Sequence, residues 1–390
     1  MGPEHVPHPF RQFLLKVHSR CDLACDYCYV YTKLDQRWAQ RPFVMTRRTI
    51  DDVALRIGEH VRAHRLPSIG AVFHGGEPLL AGLDRLGYCV RRVRSAVDRD
   101  TVVRFGIQTN GLGLDADRLR ALGQWEVRIS VSLDGDSVAH DRHRRRRNGS
   151  GSFSAVVAAV RELARPENHA IFAGLICAVD LDNDPVTTYE ALVRHAPPRI
   201  DFLLPEGNWS HPPPGRTGAG PGTPYADWLV AVFDRWYDAP RRETGVRFFE
   251  DVITVLLGGR PTRAGAGIAP LGSVVVETDG SIEPCDALTA TFPAAGVTGL
   301  SVADHTFDEA LTTPLVIEQQ AGERALAATC RSCRMLRVCG GGVFSHRYRA
   351  GRGFRNPSVY CPDLYTFISH VRRRLAADVQ KLRPVGGRAG

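Results

Sequence analysis

The chain has 390 residues, 43% hydrophobic and 24% charged, with a formal net charge of +8 and ten cysteines. That length suits about two or three domains with ordinary globular cores. No apolar run approaches the roughly 20 residues that cross a bilayer, MGPEHVPHPF lacks a signal core, and ten cysteines over this length do not read as a secreted disulfide framework. Membrane and secreted classes are set aside, and the expected location is cytoplasmic.

The first predicted strand, FLLKVH at 13–18, leads into SRCDLACDYCYVYT, where Cys21, Cys25 and Cys28 stand in a C-x3-C-x2-C spacing. Three thiolates so spaced can hold three irons of a 4Fe–4S cube and leave the fourth iron open to a small molecule. A structural zinc knuckle would close its site with a further Cys or His. The nearest candidate, His60, stands well downstream. Ile50, Val53, Ala54, Ile57 and Val61 then form the stripe of a helix, with Thr46 as its N-cap.

Further strands are expected at 69–75, 103–109, 127–133, 171–179 and 200–205, with helical patterns near 81–97, 115–122, 154–164, 185–195 and 225–237. Alternation of this kind implies a parallel sheet with helices outside it. Periodicity alone leaves both a partial barrel and an open doubly wound sheet available. Polar loops recur where strands end: Gly75-Gly76-Glu77-Pro78, Gln108-Thr109-Asn110-Gly111 and Ser132-Leu133-Asp134-Gly135. Chemistry in parallel α/β folds gathers on that rim.

Much of the positive excess lies in Arg142 and Arg144–Arg147, which read either as a solvated loop or as an attraction for an acidic partner. Basic patches interleaved with aromatics are not seen, so nucleic acid is not expected as a partner. HPPPGRTGAGPGTP at 211–224 reads as a flexible Pro/Gly loop, either a linker or a flap over a substrate. Past 240 the pattern changes: SVVVETDGSIEPC (273–285) predicts a hairpin turning at Asp279-Gly280. Cys330, Cys333 and Cys339 (C-x2-C-x5-C) with Cys361 make a second group, whose four thiolates close either a zinc site or a 4Fe–4S cluster. Cys89 and Cys177 have no partners at ligand spacing and are expected to be buried.

The order C-x3-C-x2-C, GGEP, QTNG, SLDG resembles the radical S-adenosylmethionine (SAM) superfamily over residues 10–235. The resemblance implies an α/β partial (β/α)6 TIM-type barrel and a 4Fe–4S cluster on Cys21, Cys25 and Cys28. The open iron of that cluster would chelate SAM, whose reductive cleavage gives a 5′-deoxyadenosyl radical. It also implies that Gly75, Gly76 and Glu77 face the methionine amino group and that Ser132 bonds the ribose or carboxylate. Arg144 would pair the carboxylate, while Gln108, Asn110 and Tyr27 (or Tyr29) would line the adenosine side.

The second cysteine group resembles a SPASM auxiliary iron–sulfur domain, over residues 240–375. Gly280-x4-Cys285 matches that pattern. The window 265–271 holds no cysteine, however, and Val343 stands at another ligand position, so two of four ligands for a first auxiliary cluster are missing. The expectation is one auxiliary 4Fe–4S cluster, on Cys330, Cys333, Cys339 and Cys361. LKVHSRCDLACDYCYVY, FHGGEPLL, VVVETDGSIEPCDAL and CGGGVFSHRYRAGRGFRNPSVYCPDL are similar to the FxsB-like group of radical SAM/SPASM peptide maturases.

That resemblance implies an oxidoreductase that joins an aromatic ring carbon to a β-carbon two residues later in a ribosomal precursor peptide, giving a three-residue cyclophane. It implies an electron donor such as flavodoxin or ferredoxin, and a side chain to take the ring proton, for which Asp201, Glu206 and His211 are the candidates. Other readings are thioether, epimer or formylglycine formation and, from a different class, a zinc-binding nucleic-acid adaptor.

Overall fold

The computed structural model describes residues 6–216, 222–261 and 265–382. Six strands follow one another in both sequence and space: β1 (Gln12–His18), β2 (Ser68–Gly75), β3 (Val102–Thr109), β4 (Arg128–Ser132), β5 (Phe172–Ala178) and β6 (Arg199–Leu203). All five pairings are parallel. The crossovers carry α1 (Arg47–His64), α2 (Leu83–Ala96), α3 (Ala116–Gln124), α4 (Ser137–His143), α5 (Phe153–Leu163) and α6 (Pro185–Val193). Right-handed crossovers that never reverse strand order keep every helix on one face. A doubly wound sheet would reverse its order at a switch point. The strand order therefore decides for the partial barrel.

Alternation along the strands separates two chemistries. One row, Leu15–Phe73–Ile107–Ile129, is registered across four strands and wholly buried. Truncating a buried aromatic of this kind, such as Phe73, costs about 3–5 kcal/mol. The alternate positions are polar: Lys16 pairs with His74, and Gln108 and Ser132 follow on the same inner side. In α1, Thr46 caps as expected by accepting from the Thr49 N–H, and the buried stripe is Ile50, Val53, Ala54, Ile57 and Val61.

Beyond β6 come α7 (Pro224–Tyr237), the short β7 (Gly245–Val246) and α8 (Arg247–Leu256). The 211–224 segment falls partly on residues 217–221, which lie outside the described residues. Its Arg216 is buried and ion-paired to Asp363 at 2.8 Å. The expected hairpin forms between β8 (Ser273–Val276) and β9 (Ile282–Glu283), with Gly280 at φ +89° in the turn. β8 lies parallel to β1, Gln12 opposite Ser273. One sheet, ordered β7-β6-β5-β4-β3-β2-β1-β8-β9, thus carries both halves of the chain. A buried ion network seals this junction: Glu277 meets Lys16 and Arg41, and Glu283 meets Arg41 and Arg37. The C-terminal helix, Cys361–Leu382, packs on α7 and α8 through Phe367, Phe233 and Phe249.

Candidate active site

The loop after β1 brings Cys21, Cys25 and Cys28 to the wall of a cavity of about 700 Å³. Burial pushes the Cys21 thiol up to about 12 and Cys25 to about 11, and raises Cys28 as well. Thiols this reluctant to ionise become thiolates against a metal cation. The loop is braced on both sides. Gly76 N–H donates to the His18 carbonyl and Glu77 N–H to the Arg20 carbonyl, both at 2.9 Å. A Cβ on Gly76 would come within 2.0 Å of the Tyr31 hydroxyl and 2.2 Å of the Arg20 carbonyl. Glycine is needed there so that two backbones can approach.

The arginine run 142–147 is the second brace: Arg144 is buried and Arg142 and Arg146 are half-buried, while Arg145 and Arg147 stay exposed, as a solvated loop would have them. Arg147 Nε donates to the Cys21 carbonyl at 2.9 Å, and Ala24 N–H donates to the Arg145 carbonyl at 2.8 Å. Arg142 pairs with Asp180 at 2.7 Å. Arg144 is buried, donates to the Tyr27 hydroxyl at 2.7 Å, and lies 3.9 Å from Asp134. Tyr27 in turn donates to Asp134. Arg144 Nε is buried with no hydrogen-bond partner, an unmet donor at the cavity wall.

Of the residues singled out from sequence, Cys21, Cys25, Cys28, Tyr27, Gly75, Gly76, Gln108, Asn110, Ser132 and Arg144 all line this one cavity. Glu77 is placed differently. Its carboxylate accepts from Leu79 N–H (3.0 Å), Asn110 N–H (2.8 Å) and the Thr109 hydroxyl (2.7 Å), and is not among the cavity-lining residues. It ties the GGEP loop to the TNG loop, and burial raises it to about 7 despite those donors. Asn110 reaches back to Asp22 (2.7 Å) and to Cys21 Sγ (3.6 Å).

The three proton-accepting candidates separate. Glu206 lines the cavity, accepting from the Ser345 hydroxyl at 3.0 Å with His346 3.3 Å away. Asp201 is held by both arms of Arg247, at 2.6 and 2.8 Å, and His211 is exposed; neither lines the cavity. Sequence reasoning missed His74 and Asp286. Tyr29 and His74 line the cavity, Tyr29 donates to Asp286, and His74 Nδ1 lies 4.0 Å from it. Burial opposes the Asp286 charge, but Lys16, His74 and the Tyr29 hydroxyl together hold it below the usual carboxylate range. The signals available were position: His74 directly precedes GGEP and Asp286 directly follows Cys285.

The second cysteine group adjoins the cavity wall along the chain: Cys339 stands just before Gly342 and Val343, and Cys361 just before Leu364, and all three of those neighbours line the cavity. Burial raises Cys339 to about 11 and raises Cys361 as well, and the charges of Cys330 and Cys333 act on both in the same direction. Gly340, Gly341 and Gly342 all have positive φ, and Arg347, itself buried, clamps their carbonyls at 2.8–3.0 Å. Cys285 packs against the small apolar cluster of Leu288, Ala295 and Phe354, whereas Cys333 and Cys339 pack against the main core. Cys89 and Cys177 are buried, as expected.

Residues 15–169 match the Radical SAM superfamily. The chain carries a radical SAM domain. It is 22% identical over 361 residues to the cysteine-type anaerobic sulfatase-maturating enzyme of Clostridium novyi, covering 90% of this chain and 92% of the relative. A serine-type counterpart from Bacteroides thetaiotaomicron is 22% identical, over 93% and 89%. Among solved structures, native anSMEcpe with bound AdoMet and Cp18Cys peptide superposes with a TM-score of 0.80, 21% identity, and 95% and 99% coverage. Streptococcus suis SuiB bound to precursor peptide SuiA gives 0.54, with 14% identity over 89% and 75%. The shared fold thus runs through the cysteine-rich C-terminal region.

Radical SAM enzymes use a 4Fe–4S cluster and S-adenosylmethionine, and the residues of this cavity fit that pair. Three clustered thiols face open space rather than a fourth cysteine, the buried Arg144 Nε is an unmet donor suited to a carboxylate, and Gly75 and Gly76 present backbone without side chains. No helix among the described residues is long and apolar enough to cross a membrane.

Proposed function

We propose that this radical SAM protein matures a ribosomally made precursor peptide by forming a carbon–carbon crosslink between an aromatic ring and a β-carbon. The observation that carries this is the cavity itself. One continuous space is lined both by the three-thiol loop and by the apolar side chains Phe202, Leu204, Leu229, Phe248 and Val343, the last of these lying four residues after Cys339. A peptide side chain entering there would meet the three-thiol loop within a largely apolar space.

In this reading residues 10–235 form the catalytic core and 240–375 the auxiliary domain. Cys21, Cys25 and Cys28 hold the first cluster, and Cys330, Cys333, Cys339 and Cys361 an auxiliary one. When bound, these groups and S-adenosylmethionine supply a 5′-deoxyadenosyl radical that takes one hydrogen atom, and an acceptor for the remaining electron. Arg144 offsets the methionine carboxylate, while Gly75 and Gly76 leave room for its amino end. Glu77 holds the rim loops in register. Glu206, or the Asp286 carboxylate acting through His74 or Tyr29, takes the proton released when the ring regains aromaticity. An external reductant, a flavodoxin or ferredoxin, supplies the starting electron.

Formylglycine formation is the second reading, favoured by the full-length similarity to sulfatase-maturating enzymes. The missing cysteines at 265–271 and at Val343 favour the crosslink, because they leave donors for one auxiliary cluster rather than two. Reconstituted protein should hold about eight irons per chain; about twelve would exclude this assignment. Co-expression with a short precursor peptide, sought in the neighbouring reading frames, should give a product lighter by two hydrogens, with fragmentation blocked across three residues and no reaction with hydroxylamine. An aldehyde that captures hydroxylamine would establish the second reading instead.

A further inference from the structure

Away from the cavity, α1 and the short helix Phe307–Leu311 bring His60, His64 and Asp308 together, their donor atoms all within 4.8 Å of one another. We propose that these three side chains bind one divalent transition-metal ion of the zinc type, at a site separate from both cysteine groups. His60 and His64 are four residues apart on α1 and so share a face, their rings 4.6 Å apart. Asp308 Oδ1 lies 2.6 Å from His60 Nδ1 and 2.8 Å from His64 Nε2. Two imidazoles and one carboxylate are the donor set of zinc, cobalt or nickel rather than of calcium or magnesium.

The geometry needs a small adjustment. Donors around a tetrahedral zinc at about 2.0–2.1 Å stand about 3.3 Å apart, somewhat wider than these hydrogen-bond contacts. Asp308 can supply it, since its side chain is 46% exposed and His64 is 29% exposed, while His60 is fixed. His60 packs among Phe10, Phe13 and Phe307. Its Nε2 is buried with no hydrogen-bond partner, and Nδ1 is the nitrogen that faces Asp308. A ligating histidine commonly has its far nitrogen protonated toward a carbonyl, leaving the near one for metal. Solvent reaches the Asp308 side, where water would complete the coordination. None of the three residues lines the cavity, so the ion would pin α1 to the segment beyond β9 and take no part in the reaction.

The test uses cluster-loaded protein, stripped by a chelator and dialysed against micromolar zinc. About one zinc per chain should bind to the wild type beyond what His64→Ala and Asp308→Asn retain. Zinc-edge X-ray absorption should show only nitrogen and oxygen neighbours, near about 2.0–2.1 Å. Zinc should raise the wild-type melting temperature and leave both variants unmoved, while all three melt alike in chelator with equal iron. Equal zinc in wild type and variants, no zinc at all, or sulfur neighbours at about 2.3 Å would each overturn the site.

Discussion

The two cysteine groups use one ligand type and have opposite surroundings. Cys21, Cys25 and Cys28 sit in a loop whose sulfurs open onto a cavity, braced from behind by GGEP and the arginine run. Cys330, Cys333, Cys339 and Cys361 do not line that cavity, and the glycine loop that follows Cys339 is clamped by Arg347. On the proposed reading, donor number and adjacent space separate a site open to a reactant from one closed by its own ligands.

The sharpest way to break this contrast is to remove one sulfur from each group. Cys25→Ala or Cys28→Ala should reduce 5′-deoxyadenosine formation to background. Cys333→Ala should keep that formation and lose modified peptide, measured by chromatography and mass spectrometry on the same samples. Equal loss of both products in all three variants would erase the distinction. A smaller effect is expected at the open site's cation. Arg144→Lys should weaken S-adenosylmethionine binding about 10- to 100-fold, as charged hydrogen bonds of about 1.5–3 kcal/mol are lost, and leave iron content unchanged.

Glu77 sharpens the contrast through pH. Its carboxyl moves from 4.5 to about 7 on folding, so between those values the folded chain holds a proton that the unfolded chain has released. Its stabilising share is full below the lower value and lost as pH rises through the higher one. Glu77→Gln should flatten that segment of the stability curve, by at most about 1.4 kcal/mol per pH unit, as read from denaturant unfolding across the window. Smallest is Thr46→Ala, which removes the cap of α1 and should cost about 1 kcal/mol without altering adenosylmethionine cleavage.

Most strands and helices of the first half were legible because alternation, stripes and caps are local: Thr46, the Ile50–Val61 stripe and the hairpin at Asp279-Gly280 fall where the pattern puts them. The cavity wall was legible as motif ends on a shared rim. Partnerships were not. A carboxylate in GGEP reads as a ligand contact until Thr109 and Asn110 are seen to occupy it. A run of arginines reads as one solvated stretch until Arg144 is found buried on Tyr27 while Arg145 and Arg147 remain exposed.

Sequence by itself determined the parallel α/β order, the two cysteine groups with their three-and-four count, and the residues gathered on one rim. Tertiary structure alone decided that β8 docks beside β1, that His74 and Asp286 meet Tyr29, and that Cys285 stands apart among aromatic rings. The reason is physical: periodicity and spacing are written between near neighbours, whereas strand pairing and buried charge contacts join residues far apart, and many partners satisfy the same local pattern.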